Sequence, residues 1–542
     1  MYDVVLRGGT VIDGTGQPGY WADVAVKGGR IVFLGEVSAG DLDNVIDAGG
    51  AVVCPGFIDM HSHSDISLVA FPWARSSLGQ GITTEVVGNC GWSMAPLTEV
   101  VREKVLRRLM GTLLDEEACG DTPFTWRTTG EFLAVLEQRG VGTNVVPLVG
   151  QSLVRACVMG VESERPAHAD ELEVMKELVR EAMCAGVWGM STGRAYLPGA
   201  HAPSSEVVEL ARVVAKEGGF YATHMLDEGD RLLEALDEVI TIGREAGIGV
   251  EISHLKACYP RNWGKMAEVI DRIGAARAQG VDVTFDLYPY PYAWVYPAHR
   301  EFPPEVARLG AREAAEFLRD PDRRAAVRRA FEGQTPEWRN SLRASQFGDV
   351  VMAAPDPAWV GKSIADLAGE RGADPVDTLI DLVIASEGQV GLSCTMSEDD
   401  LRLALRYPEA MVSTDAYALD REIGTFVHPR HFGAMARLLG VYVREQGVLS
   451  LEDAIRRVTS LPARRLGLRD RGVIRVGAAA DLVVFDPLSI ADRATIAEPY
   501  RFPSGIHWVL VNGRVAVAEG RHTGALAGKV LRRQSCGVPP RS

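Results

Sequence analysis

The chain has 542 residues, with 57 Lys and Arg against 72 Asp and Glu, a formal net charge of −15. A composition of 46% hydrophobic and 24% charged residues belongs to a globular protein with a filled core and excludes disorder over most of the length. The acidic balance argues against broad nucleic-acid or anionic-membrane binding, which needs clustered Lys and Arg, and no apolar run approaches the roughly 18 residues of a membrane span.

The opening MYDVVLRGGT has no basic segment followed by an apolar one, so no secretory signal is expected. Eight Cys without a CxxC pair do not make a disulfide framework, and a cytoplasmic protein with reduced thiols is the expectation. Residues 1–52 alternate short β-rich runs with glycine turns, as in VVLRGGTVID and ADVAVKGGRIVFLGE. The far end, 466–542, repeats that texture in GVIRVGAAADLVVFD and IHWVLVNGRVAVAEG. The simplest arrangement pairs both ends into one small β-sandwich; the alternative is two separate hairpin appendages.

Between them, 53–465, apolar runs alternate with helical stretches. Candidate strands end at PGFIDMHSH, TTEVVGNCG, TNVVPLVGQ, GVWGMSTG, GFYATHM, IGVEISHLK, VDVTFDLY and AMVSTDAY. Eight such endings predict an α/β fold built on a (β/α)8 TIM barrel, in which chemistry gathers at the C-terminal ends of the strands. The spacing is regular except between strands seven and eight, where an inserted segment of about 297–405 includes REAAEFLRDPDRRAAVRRAFEG. That charge run reads as a solvated helix face on a lid or small subdomain.

His61 and His63 end the first strand, two residues apart, and so face one way. Cys90 follows the second strand, His224 the fifth, His254 the sixth and Asp415 the eighth. Each alone is compatible with an inert core role. Six such groups at five strand ends of one barrel would converge on a single site. Imidazole and thiolate ligands suit Zn²⁺, which acidifies a bound water and polarises a carbonyl. A carboxylate such as Asp415 can take that water's proton and return it to a leaving nitrogen, the parts of metal-assisted amide hydrolysis.

With these motifs the chain resembles the amidohydrolase superfamily, and within it the D-aminoacylase (N-acyl-D-amino-acid deacylase) group. DVVLRGGTVIDGTG, PGFIDMHSHSD, TTEVVGNCG, GMSTGRAY, ATHMLDEGD, ISHLK, DLYPY, STD, HPRHFG and TSLPARRLGLRDRGVIRVGAAADLVVFDP carry the similarity over nearly the whole length. The resemblance implies a distorted barrel with a β-domain from both ends. GVWGMSTG offers no lysine to bridge two metals, and the group uses the cysteine at the Cys90 position instead. Cys90, His224 and His254 would then hold one tight zinc, with His61, His63, Cys90 and Asp415 framing a weaker second site. Lys256 and Tyr288 fall on positions that fix the substrate α-carboxylate. The third such position, a serine, falls on or next to Trp294.

Further departures stand at Gln151, Leu226 and Ala416-Tyr417, where His, Arg and Gly are usual. Arg430, in HPRHFG, can pair with a carboxylate bidentately or form a structural salt bridge. The expected function is zinc-dependent hydrolysis of a small N-acyl-D-amino acid, with Asp415 as general base and acid. A bulky substrate without a free α-carboxylate is a variant of that reading. A cyclic-amide hydrolase and a non-catalytic barrel scaffold are the alternatives. Oligomeric state is open.

Overall fold

The computed structural model describes residues 1–38, 44–103, 124–293, 296–333, 342, 347–353, 356, 358–420, 422 and 427–534. Phe57–Asp59, Ile82–Val87 and Asn144–Pro147 pair in parallel, in that order. Val149–Gly150, Gly189–Gly193, Phe220–His224, Val250–Ile252, Val283–Leu287 and Ala410–Val412 form a second parallel set. The third barrel strand spans both sets, its two pieces joined at Leu148, whose N–H donates to the Val87 carbonyl at 2.9 Å. The other seam closes by a parallel bridge between Ser62 and Ala416. There His63 N–H donates to the Ala416 carbonyl (2.7 Å) and Asp415 N–H to the His61 carbonyl (2.8 Å). The result is a closed eight-stranded barrel whose seam lies in the sequences that carry His61, His63 and Asp415.

The strands read as continuous buried runs because helices cover their outer face and side chains fill the inside. Ser204–Lys216 and Leu232–Ala246, for example, turn Val207, Leu210, Ala211 and Val214, and Leu232, Leu236, Val239 and Ile240, onto the strands. Glu85, on the helix-facing side of the second strand, is satisfied by the hydroxyls of Ser62 (3.1 Å), Ser64 (2.5 Å), Ser77 (3.1 Å) and Thr143 (2.6 Å). A buried carboxylate is tolerated only with such a full set of donors.

The two chain ends share one nine-stranded sheet. Its joint is Val52–Pro55 antiparallel to Leu482–Phe485, with Val53 opposite Val484, so the ends are not separate appendages. The insertion has its own apolar core, including Phe302, Phe331, Met352, Leu379 and Leu392, around a sheet of Tyr296–Pro297, Gly391–Cys394 and Val350–Ala353. Its charged helices Ala311–Arg319 and Pro321–Glu332 bury Ala314, Leu318, Val327 and Phe331 and leave most of their arginines outward. Glu398–Arg406 then packs beside Met266–Ala278, the helix that follows the sixth strand. Among the described residues, no helix is long and apolar enough to cross a membrane.

Candidate metal centre

The second strand ends in a turn, Gly88-Asn89-Cys90-Gly91, too tight for side chains on its flanks. Gly88 has φ +82° and a Cβ there would lie 2.4 Å from the Leu148 carbonyl oxygen; at Gly91 (φ +77°) it would lie 2.6 Å from Gly193 N. Cys90 itself is left-handed at φ 52°, as are His254 at 38° and Asp415 at 49°. Such backbone is unfavourable for non-glycine residues and collects at functional sites. Three of the six predicted groups therefore sit on strained backbone held by the barrel.

Their side chains meet. Cys90 Sγ lies 3.4 Å from His61 Nε2, 3.4 Å from His254 Nε2 and 3.9 Å from His224 Nδ1, and the last two nitrogens are 2.9 Å apart. A zinc tetrahedron with bonds of about 2.0–2.3 Å has edges near 3.3–3.8 Å; the two 3.4 Å separations match it and the 2.9 and 3.9 Å ones need a small shift of His224, so the donor set suits one borderline-soft divalent ion. Asp415 Oδ1 lies 3.4 Å from His61 Nε2 and 3.2 Å from His63 Nε2, a second group of possible ligands that shares His61 with the first.

Burial pushes the Cys90 thiol up, yet the charges of His61 and His254 outweigh it and hold the group well below the usual thiol range. Burial likewise opposes ionisation of Asp415, but Arg430 and then His254 hold its carboxyl well below the usual range. Both negative donors are thus ionised in a buried setting, as metal ligation requires. Desolvation works against His63 too, but its bond to Asp415 and the neighbouring Cys90 raise it to about 9.

Beyond the donors, His254 turns its Nδ1 to Glu228 Oε1 at 3.0 Å, and that oxygen also accepts from Lys256 Nζ at 2.6 Å. Asp286 ties three strand ends together. Its Oδ1 accepts from His254 N–H (3.0 Å) and Ser413 Oγ (2.6 Å), while Oδ2 lies 3.6 Å from His61 Nδ1. Carboxylates placed this way orient ligating imidazoles. Tyr196 stands over His224 with ring centroids 4.6 Å apart and its hydroxyl 3.4 Å from Nδ1.

Lys256, Tyr288 and Arg430 form a second cluster at the same mouth. The Arg430 guanidinium lies 4.6 Å and Lys256 Nζ 5.6 Å from the Tyr288 ring centroid. The Tyr288 hydroxyl is buried and has no hydrogen-bond partner among the described residues. Arg430 Nη1 is also 2.8 Å from Asp415 Oδ2, which links the two clusters. Trp294 lies outside the described residues. Gln151 is drawn away to Glu206 (3.3 Å), and Tyr417 packs against His431 at 4.4 Å.

Sequence reading missed Glu228, Asp286 and Tyr196. Glu228 and Tyr196 lie inside the motifs ATHMLDEGD and GMSTGRAY, an acidic and a phenolic group just beyond strand ends, which was the available signal. Asp286 is the penultimate residue of the seventh strand, Val283–Leu287, and is recognisable by the same rule.

A closed parallel barrel with imidazoles, a thiolate and a carboxylate converging at its strand ends defines a metal-dependent hydrolase. The amidohydrolase family matches residues 44–257 and 420–517. Over 535 residues the chain is 36% identical to an N-acyl-D-glutamate deacylase of Alcaligenes xylosoxydans xylosoxydans, covering 98% of this chain and 97% of that protein. It is 35% identical over 532 residues to a D-aminoacylase of the same organism, covering 98% of each. Its fold matches an N-acyl-D-glutamate deacylase from Bordetella bronchiseptica, solved with zinc and a phosphonate mimic of the tetrahedral intermediate. That match has a TM-score of 0.77 and 34% identity over 98% of this chain and 99% of the other. The chain belongs to the amidohydrolase family, in its N-acyl-D-amino-acid deacylase group, and is a metal-dependent amidohydrolase.

Proposed function

We propose that the protein hydrolyses N-acyl-D-amino acids to a carboxylate and a free D-amino acid. The observation that carries this reading is the pair of cations, Lys256 and Arg430, both within 6 Å of the ring of the buried Tyr288 beside the donor cluster. Two cations and a phenol around one point suit a substrate carboxylate, and they favour a free α-carboxylate over an amide that lacks one. The D configuration is taken from the relatives, whose names specify D-amino acids.

Cys90, His224 and His254 would hold a zinc ion, with His61, His63 and Asp415 offering a second, weaker place. Zinc bound there supplies a water acidified to near-neutral pKa and a polarised amide carbonyl. Asp415 takes the proton of the attacking water and delivers it to the departing nitrogen, which leaves as a neutral amine. Its 2.8 Å pair with Arg430 lowers its basicity in the resting enzyme. A substrate carboxylate engaging Arg430 shares that charge and returns basicity to Asp415 where it is used.

The Tyr196 hydroxyl, facing the cluster beside His224, donates to the oxygen that becomes negative as the carbonyl is attacked. Glu228 holds Lys256 and His254 Nδ1 in place. Lys256 and Tyr288 also line a small cavity with Leu255, Met266, Met396 and Leu401, so the cations border apolar side chains.

The test is release of free amine, followed by mass spectrometry, from paired D and L N-acyl amino acids and matched amides without the carboxylate. Turnover confined to the D-acids is expected. Turnover of the carboxylate-free amides at the same efficiency would overturn the reading.

A further inference from the structure

Cys258 and Cys394 come from separate parts of the fold. Cys258 lies on the loop after the sixth strand, two residues past Lys256, and Cys394 ends the insertion strand Gly391–Cys394. A short antiparallel contact joins the segments. Cys258 bridges Met396, and the N–H of Tyr259 donates to the Thr395 carbonyl at 3.0 Å. Cys394 stands two positions from Met396 and so on the same face of that contact. The two sulfurs are 2.8 Å apart, Cys394 donating to Cys258, and both residues are buried, at 5% and 9% exposure. Neither belongs to the donor cluster, and among the described residues neither groups with a histidine or carboxylate as a possible metal site.

We propose that Cys258 and Cys394 are a redox modification site, which closes to a disulfide fastening the insertion to the barrel beside the substrate pocket. The sulfurs already meet within the reach of a disulfide, so closure needs no large movement of the backbone. The oxidant is a low-molecular-weight disulfide. Cys394, the more exposed of the two, attacks it, breaking its S–S bond and releasing one thiol. Cys258 then displaces the second thiol from the mixed disulfide. Both protein S–H bonds are lost, one S–S bond forms, and the two electrons leave in the two released thiols. A low-molecular-weight thiol reverses the sequence.

The consequence follows from position. Cys258 N–H donates to the Glu228 carbonyl at 2.7 Å, and the Glu228 carboxylate holds Lys256 and His254. On the other side, Met396 and Ser397 follow Cys394 and line the cavity with Lys256 and Tyr288. A covalent tie at this point fixes the insertion against the pocket and blocks any opening that substrate entry or product release requires, so turnover falls. The bond is independent of the reaction proposed above; only the turnover arm rests on that reading.

The zinc-loaded enzyme is incubated with oxidised glutathione, alkylated and mapped by peptide mass spectrometry, with zinc content and turnover measured in parallel. Expected are a cross-linked Cys258–Cys394 peptide pair, an intact mass lower by two hydrogens, retained zinc, and a loss of turnover that dithiothreitol restores. Cys394→Ser should form no cross-link and keep its turnover through the treatment. Recovery of both cysteines as alkylated thiols, or as separate glutathione adducts, would overturn the site. A Cys394→Ser enzyme that loses turnover as wild type does would assign the loss to another thiol and overturn the gating. A cross-link in a chain that turns over none of the N-acyl substrates would keep the site and count against the proposed function instead.

Discussion

Replacing Asp415 by Asn keeps the volume of the side chain and removes one charge, with two separable consequences. The first is catalytic. A positioned acid–base group contributes about 10²–10⁴-fold in rate, or about 2.7–5.5 kcal/mol of barrier, and Asn can neither accept nor return the proton. The second is structural. Asp415 Oδ2 lies 2.8 Å from Nη1 of the fully buried Arg430, and removing one half of a buried pair costs roughly 3–5 kcal/mol. Adding Arg430→Met in the same chain removes the stranded charge. The double variant is therefore expected to regain much of the lost stability and none of the lost turnover. Amine release, urea unfolding and zinc stoichiometry are measured on wild type, the two single variants and the double variant. Asp415→Asn turnover within roughly tenfold of wild type at full zinc occupancy would refute the proton role. An unfolding free energy unchanged in Asp415→Asn would refute the ion-pair argument.

Lys256→Met should raise KM for an N-acyl-D-amino acid about tenfold to a hundredfold, the worth of a hydrogen bond to a charged group, with a smaller change in kcat. An unchanged KM with a fall in kcat alone would contradict a carboxylate contact. Burial pushes the Asp59 carboxyl up to about 7, against hydrogen bonds from Thr414 and with Glu85 adding to the rise. Since the unfolded carboxyl titrates near 3.8, this group's stabilisation is complete below about pH 4 and is lost as pH climbs through 7. Asp59→Asn still accepts from Thr414 N–H, and its amide can donate to Thr414 Oγ1 in a reversal of the native bond, so it should flatten the fall in stability between pH 4 and 7. An unchanged slope in chemical denaturation would rule out Asp59 as its source.

The eight strands were legible because a parallel barrel buries both faces of each strand, leaving short apolar runs that stop at polar ends. Those same ends named His61, His63, Cys90, His224, His254 and Asp415, and the barrel brings all six to one mouth. Pairings across the barrel were not legible. Glu228 meets Lys256 only because strands five and six are neighbours, and Arg430 meets Asp415 only through the path of the chain after strand eight. The left-handed backbone at Cys90 has no signature in residue type, and at His254 and Asp415 only a weak one, since His and Asp are among the non-glycine residues enriched there. The insertion's charged run was correctly read as helix surface. Its private core was hidden because Phe302, Phe331 and Leu392 are far apart in sequence.

The most direct test is to strip the enzyme with a chelator and return zinc stepwise, following release of a D-amino acid from its N-acyl form in wild type and Cys90→Ala. Stripped wild type should be inactive and recover most of its turnover with the first equivalent of zinc, while Cys90→Ala needs excess zinc and holds it weakly. Turnover by the zinc-free wild type, or a Cys90→Ala titration that overlays it, would contradict a deacylase built on this metal centre.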